Sequence, residues 1–298
     1  MVVLYAAARL DLARSALDGL SVGDALGAQQ MTVPDARGTP WPWTDDTQMA
    51  AVLTTHLGHT DGRVDQDRLA AAFATACDPA RGYGVGAYLV LSAIAAGTHW
   101  RTAAADAFGG QGSLGNGAAM RVAPLGAYHA GNPAAAAREA TAQAELTHAH
   151  PDGVAGAVAV AVAAALAAKA RLDGTPPRDL IGQILPYMPE KSGTTRMLIR
   201  ARRVPGDPVR AAHILGNGSR VTAADTVPFA IWAAAKHLTD YPAALRTCFD
   251  AGGDVDTTAA ITGGIVAAYA GTGQRPGTRG VPTEWITNRE PLPHNAPS

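Results

Sequence analysis

Between Val154 and Ala168 the chain reads VAGAVAVAVAAALAA, an unbroken run of small apolar side chains without a charge. A segment with no polar face has to be buried on all sides. The run is shorter than the roughly 20 residues that span a bilayer, so it is expected as the central helix of a protein core. The Val/Ala alternation at 158–163 would also suit a strand, but the pattern continues into AAALAAKARL, and that length argues for helix. The rest of the chain agrees. Alanine is abundant, aromatics are 5%, and β-branched runs are short, a composition that loses little side-chain entropy in helices. Periodicity and punctuation predict helices near 9–26, 45–58, 65–77, 85–96, 117–129, 134–147, 153–171, 177–187, 193–203, 207–215, 222–238, 241–250 and 256–271. No βαβ unit, internal repeat, charge block or flexible linker is found. The expected fold is all-α, a single compact multi-helix domain over residues 1–298 with a frayed Pro-rich tail from Arg289 to Ser298.

Charge removes several classes of partner. The formal net charge is −1 and the pI about 6.7, which leaves no basic face for nucleic acid or an anionic membrane. Neither a membrane nor sequence-specific nucleic acid is expected as a partner, and a nucleotide-like ligand would have to be held by local groups. Cys77 and Cys248 have no close spacing, so neither a disulfide framework nor a thiolate zinc site is indicated. In MVVLYAAARL no basic leader occurs, and Arg9 and Asp11 interrupt the apolar stretch. A cytoplasmic monomer is the expectation.

Four segments carry chemistry. In WTDDTQMAAVL, Thr44, Asp45, Asp46 and Thr47 stand at the start of a predicted helix, where capping is the simplest role. In GGDVDTTAAITGG, Asp254, Asp256 and Thr257 again precede a helix of small residues, after two glycines that allow a sharp turn. Brought together, the two clusters would repel, and neither contains a Lys or Arg. Hard divalent cations resolve that conflict, and oxygen-only ligands select Mg²⁺, Mn²⁺ or Ca²⁺ over zinc or copper. Metal binding is therefore favoured, and capping can coexist with it. The third segment, AFGGQGSLGNGAAMRVAPLG, has five glycines leading into a helix expected near Ala118, so its N–H groups can form a nest for phosphate. It lacks the GK[ST] ending of a Walker A loop, and no strand precedes it; a tight surface turn is the plain alternative. The fourth, ELTHAHPDG, carries His148 and His150 before the central helix. Without a nearby third ligand, a substrate-orienting or capping role suits them better than zinc.

Taken together, GLSVGDALGA at 19–28, TDDT at 44–47, GSLGNGAAMR at 112–121, LTHAHP at 146–151, DTVPFAIWA at 225–233 and GGDVDTTAAITGGI at 252–265 resemble the ADP-ribosylglycohydrolase family. The resemblance runs in order from Leu12 to Trp285. It implies an α-helical domain with a dinuclear Mg²⁺ or Mn²⁺ centre at the base of a cleft and ADP-ribose or an ADP-ribosylated molecule as substrate. Thr44, Asp45, Asp46, Asp254, Asp256 and Thr257 match the family's metal ligands. Gly112, Ser113, Gly115 and Asn116 match the loop around the diphosphate, Phe108 the aromatic set against adenine, and His148 a substrate-side histidine. Two departures stand out. Where many relatives have a glutamate after GDALGA, this chain reads Gln29, Gln30, Met31, and methionine neither ligates a hard ion nor moves a proton. Gln29 or Gln30 is expected to cover the gap. Leu114 stands where relatives acting on serine linkages often carry tyrosine, which removes a stacking surface.

The implied reaction is hydrolysis of an N- or O-glycosidic bond at the ribose anomeric carbon, through an oxocarbenium-like state. The carboxylates would hold metals, with Asp45, Asp46 or Asp256 taking the proton of the attacking water. Two rivals share these residues: a two-metal phosphohydrolase acting on the diphosphate, and a non-catalytic ADP-ribose reader. Products separate the first, since intact ADP-ribose marks the glycosidase and AMP the rival. Binding without turnover marks the second.

Overall fold

The computed structural model describes residues 4–29 and 40–293. Its helices are α1 (Ala6–Ala28), α2 (Asp45–His59), α3 (Gln66–Ala76), α4 (Val85–Ala95) and α5 (Trp100–Gly110). There follow α6 (Gly117–Met120), α7 (Ala123–Tyr128), α8 (Pro133–Ala144), α9 (Pro151–Asp173) and α10 (Leu180–Ile184). The last are α11 (Gly193–Ala201), α12 (Pro208–Leu215), α13 (Ala223–Lys236), α14 (Tyr241–Ala251), α15 (Val255–Ala270) and α16 (Thr283–Asn288). One short hairpin pairs β1 (Gln274–Arg275) with β2 (Thr278–Arg279). The helices share one continuous hydrophobic core.

The central helix is α9, as the small-residue run requires, and α7, α8, α13 and α15 pack around it. It is long and apolar enough to cross a bilayer, yet most of it is buried inside the fold. Its start is fixed by His150, whose Nδ1 accepts from the Asp152 N–H at 3.1 Å. Its end is fixed by Gly174, left-handed at φ 74°.

The most extensive pairing is between α1 and α15. Gly19, Gly23 and Gly27 recur at four-residue spacing on α1 and form a stripe facing α15. A Cβ on Gly23 would overlap the Ala259 carbonyl, and one on Gly27 would overlap the backbone of Asp256. The stripe therefore lets the two backbones touch and sets the first turn of α15 against the last turn of α1.

The tail departs from expectation. Trp41 N–H donates to the Asn288 carbonyl at 2.7 Å, Glu290 N–H to the Trp41 carbonyl at 2.8 Å, and Trp43 Nε1 to the Pro291 carbonyl at 3.1 Å. Arg81 grips Glu290 with two hydrogen bonds of 2.8 Å and stacks 3.5 Å over the Trp43 ring. Residues 289–291 are thus pinned rather than frayed, because an ion pair and backbone bonds offset their loss of freedom. The rest of the expected frayed tail, 294–298, lies outside the described residues.

Candidate active site

Asp24, on the last full turn of α1, is fully buried and organises the start of α2. Its carboxylate accepts from Thr44 N–H at 2.9 Å, Thr44 Oγ1 at 2.8 Å, Thr47 N–H at 3.1 Å and Thr47 Oγ1 at 2.5 Å. Thr44 N-caps α2, its Oγ1 accepting from Asp46 N–H at 3.3 Å, so the capping role expected for it is made. Asp45 and Asp46 then fall in the first helical turn and Asp256 in that of α15. Asp254 occupies the capping position of α15 without using its side chain as a cap. It accepts instead from Asn116 Nδ2 at 2.7 Å.

Five carboxylates, Asp24, Asp45, Asp46, Asp254 and Asp256, feel one another. Burial pushes Asp45 up to about 7, with Asp24, Asp256 and Asp254 adding to the rise. Burial, then hydrogen bonding and repulsion from Asp256, pushes Asp254 up to about 7. Asp46 rises well above the usual carboxylate range through burial and the charges of Asp24, Asp45, Asp256 and Asp254. Asp46 Oδ2 is buried with no hydrogen-bond partner. Among the described residues the carboxylates do not converge into a ready-made coordination shell. An orphaned buried carboxylate oxygen and mutually destabilised anions nevertheless fit a hard cation, which would supply both the missing partner and the missing positive charge.

These residues open onto a cavity of about 680 Å³, a size suited to a ligand of nucleotide dimensions. Asp45, Asp46, Asp254, Asp256 and Thr257 line it, whereas Thr44 does not, its hydroxyl being turned to Asp24. The glycine-rich loop forms another wall. Regular helix in α5 gives way at Ala107, and Phe108, Gly109, Gly110 and Gly112 take φ values of 55°, 67°, 85° and 72°. Phe108 is 61% exposed, its ring over Gly86 at the cavity wall, where an aromatic surface is open to a ligand. Gly112 and Ser113 lie against Ala149, His150 and Gly153, so the loop rests on the start of α9. Ser113 Oγ accepts from Gly115 N–H at 3.2 Å, and Leu114 is partly exposed in the cavity.

Two expectations about this loop need correction. The helix behind it, α6, is a single turn, so it adds little dipole and the loop's own N–H groups have to do the work. Asn116 lines the cavity, but its amide is committed to Thr226 Oγ1 at 3.1 Å and Asp254 Oδ2 at 2.7 Å. It ties the loop to the acidic cluster instead of freely facing a diphosphate.

His148 is buried at the cavity wall beside Gly115 and Gly117. A chain of bonds fixes it: Arg121 Nη2 donates to Thr147 Oγ1 at 3.0 Å, which lies 2.8 Å from His148 Nδ1. Burial, with Arg121 adding to it, pushes His148 down to about 3, so its ring is neutral near pH 7. His150 is a helix cap. Gln29 is exposed at the end of α1 and lines neither cavity next to the aspartates. Gln30 and Met31 lie outside the described residues.

Some residues of the site and of its support escaped sequence reasoning. Asp24 lies inside a legible motif, but its partners are 20 and 23 residues away. Arg220, Val221 and Thr222 reach the cavity because Gly115 and Thr222 form an antiparallel bridge. The dipeptide Asn217-Gly218 signalled a turn there, though not where the turn would dock.

The arrangement defines a helical protein in which an acidic cluster and a glycine-rich loop face one ligand-sized cavity. The sequence matches the model of the ADP-ribosylglycohydrolase family over residues 6–294, and the chain belongs to that family. It is similar to ADP-ribosylhydrolase ARH3 of Homo sapiens, 28% identical over 91% of this chain and 88% of the relative. The Xenopus tropicalis ADP-ribosylhydrolase ARH3 is 29% identical over 83% of this chain and 77% of the relative. A solved structure described as an ADP-ribosylglycohydrolase-related protein complex superposes with a TM-score of 0.65. It covers 95% of this chain and 93% of that chain at 24% identity and supports the fold.

Proposed function

We propose that this protein is a divalent-metal-dependent hydrolase that cleaves the glycosidic bond between ADP-ribose and an acceptor. The observation that carries the reading is the placing of Asp45, Asp46, Asp254, Asp256 and Thr257 in one cavity with the Gly112–Asn116 loop and His148. Two Mg²⁺ or Mn²⁺ ions would be held by these carboxylates with Thr257, and Thr44, which does not line the cavity, would reach an ion only through the lone pair that its bonds to Asp24 and Asp46 leave. When bound, they supply charge neutralisation and Lewis acidity at that end of the cavity.

The protein's own groups do the rest. With the N–H groups of Gly112, Gly115 and Asn116 donated within the protein, those of Ser113 and Leu114 hold the diphosphate, which spends remote binding energy on positioning the anomeric carbon. Phe108 offers a face to the adenine. Arg121 can only donate, so Thr147 accepts from it and has its own proton free for His148 Nδ1; the His148 Nε2 proton then faces the substrate. Asp45, Asp46 or Asp256 takes the proton from the attacking water. A monomer in a reducing, cytoplasmic compartment, with Cys77 and Cys248 as free thiols, belongs to the same proposal.

The test is turnover of ADP-ribosyl conjugates after chelation and metal return. Activity should vanish with chelator, return with Mg²⁺ or Mn²⁺ and return poorly with Zn²⁺. Full activity in metal-free protein would refute the reading. Asp256→Asn should lose at least about a hundredfold in rate while remaining folded.

A further inference from the structure

The turn Gly216–Thr222 has no role in the mechanism above, yet it is built into the site from both sides. Asp254 N–H donates to the Asn217 carbonyl at 3.0 Å, and Gly218 lies against Asp254 Cβ, so one end rests on the acidic cluster. Asn116 N–H donates to the Val221 carbonyl at 3.3 Å and Ala223 N–H to the Leu114 carbonyl at 3.0 Å, so the other end rests on the glycine-rich loop. Asp225 pins the middle, its carboxylate accepting from Arg220 N–H at 3.0 Å. Val221 is held at φ 55°, a left-handed conformation that a β-branched residue rarely adopts. Its N–H donates to the Gly218 carbonyl at 2.6 Å, so bonds on both sides maintain the strain.

The residue this turn presents is Arg220. The cavity is lined by four aspartates and two arginines. Arg121 is buried, its guanidinium committed to Gln143 and Thr147 and stacked on Phe73. Arg220 is exposed, and among the described residues its guanidinium makes no hydrogen bond or ion pair. With the carboxylates matched by the two divalent ions, the charge of an entering diphosphate is left for a cation elsewhere on the cavity wall, and a guanidinium can bind two phosphate oxygens at once.

We infer that Arg220 is a substrate-binding residue that pairs with the diphosphate of the bound ADP-ribosyl group from the wall next to the Gly112–Asn116 loop. The inference rests on the substrate class proposed above and adds to the loop's backbone donors a side-chain cation carried by a separate, strained turn.

Calorimetric titration with ADP-ribose and with adenosine, which lacks the diphosphate, tests it on wild type, Arg220→Gln and Arg220→Lys. Arg220→Gln should weaken ADP-ribose binding about tenfold to a hundredfold, leave adenosine binding within about twofold and flatten the salt dependence for ADP-ribose. Arg220→Lys should fall between. An unchanged melting temperature checks that the turn is intact. Wild-type binding with no loss in Arg220→Gln overturns this inference alone, and so does equal loss of both ligands. Failure of wild type to bind ADP-ribose overturns the proposed function and this inference with it.

Discussion

The Asp24 carboxylate decides which way the Thr44 hydroxyl points. Because Thr44 Oγ1 donates to Asp24 Oδ1, its lone pairs are left for the Asp46 N–H and for a cation. In Asp24→Asn the amide oxygen can take both backbone N–H groups while its NH₂ donates to Thr44, reversing that hydroxyl. The variant should melt within a few degrees of wild type, since a buried charge is removed, but lose at least about tenfold in Mg²⁺ or Mn²⁺ affinity by calorimetry. Unaltered affinity would mean that Asp24 only holds α2 in place. His148 gives a pH signature. Its pKa falls from 6.5 to about 3 on folding, so below pH 6.5 the unfolded chain binds the extra proton. Its stability contribution is complete above pH 6.5 and lost as pH falls toward 3, by up to roughly 4 kcal/mol. Melting curves between pH 7 and 4 should therefore show wild type losing more stability than His148→Asn; parallel losses would place a charged histidine in the folded state. At this scale the sequence was readable where chemistry is local, as in Thr44-Asp45-Asp46 and Asp254-x-Asp256. It was silent where a role depends on chain crossings, as for Asp24 and Arg220.

Helix contacts carry these residues to each other. The glycine stripe on α1 lets α15 approach until Gly27 meets Asp256, and adding a methyl there has nowhere to go. Gly23→Ala should destabilise by several kcal/mol or prevent folding, as overpacking against rigid backbone does. Gly58, on an exposed stretch of α2, is the control: a Cβ there would make ordinary contact with Leu10 at 3.7 Å. Gly58→Ala should raise stability by about 0.5–1 kcal/mol through helix propensity. Denaturant titration checks both, and an innocuous Gly23→Ala would disprove the close approach. Long periodic helices were legible, since 85–96 and 241–250 were expected and Val85–Ala95 and Tyr241–Ala251 observed. The segment expected at 117–129 is instead two short helices, α6 and α7. Pro124 has no N–H and its ring crowds the preceding turn, a breaker the apolar periodicity concealed. Helix α5 was missed because its C-terminal end dissolves into the glycine run that makes the loop.

Across the whole molecule, the C-terminal segment closes over the strand-like entry to α2. Arg81, Trp43 and Glu290 join residues far apart in sequence just upstream of Asp45 and Asp46. Glu290→Gln removes one charge of a partly exposed pair and should cost about 1 kcal/mol of stability while lowering metal affinity by severalfold. If stability falls and metal affinity does not, the segment supports the fold alone. One helical domain was legible from the small-residue run and the ordered motifs, but this clasp was not, since its residues carry no local pattern. The central claim is that these parts together break the glycosidic bond and leave the diphosphate whole. The direct measurement is mass analysis of products after Mg²⁺- or Mn²⁺-loaded protein has acted on arginine-linked, serine-linked and O-acetyl ADP-ribosyl substrates. Intact ADP-ribose released from at least one of them, and none after chelation, is the predicted result; AMP and a ribose phosphate, or no product from any substrate, would contradict it.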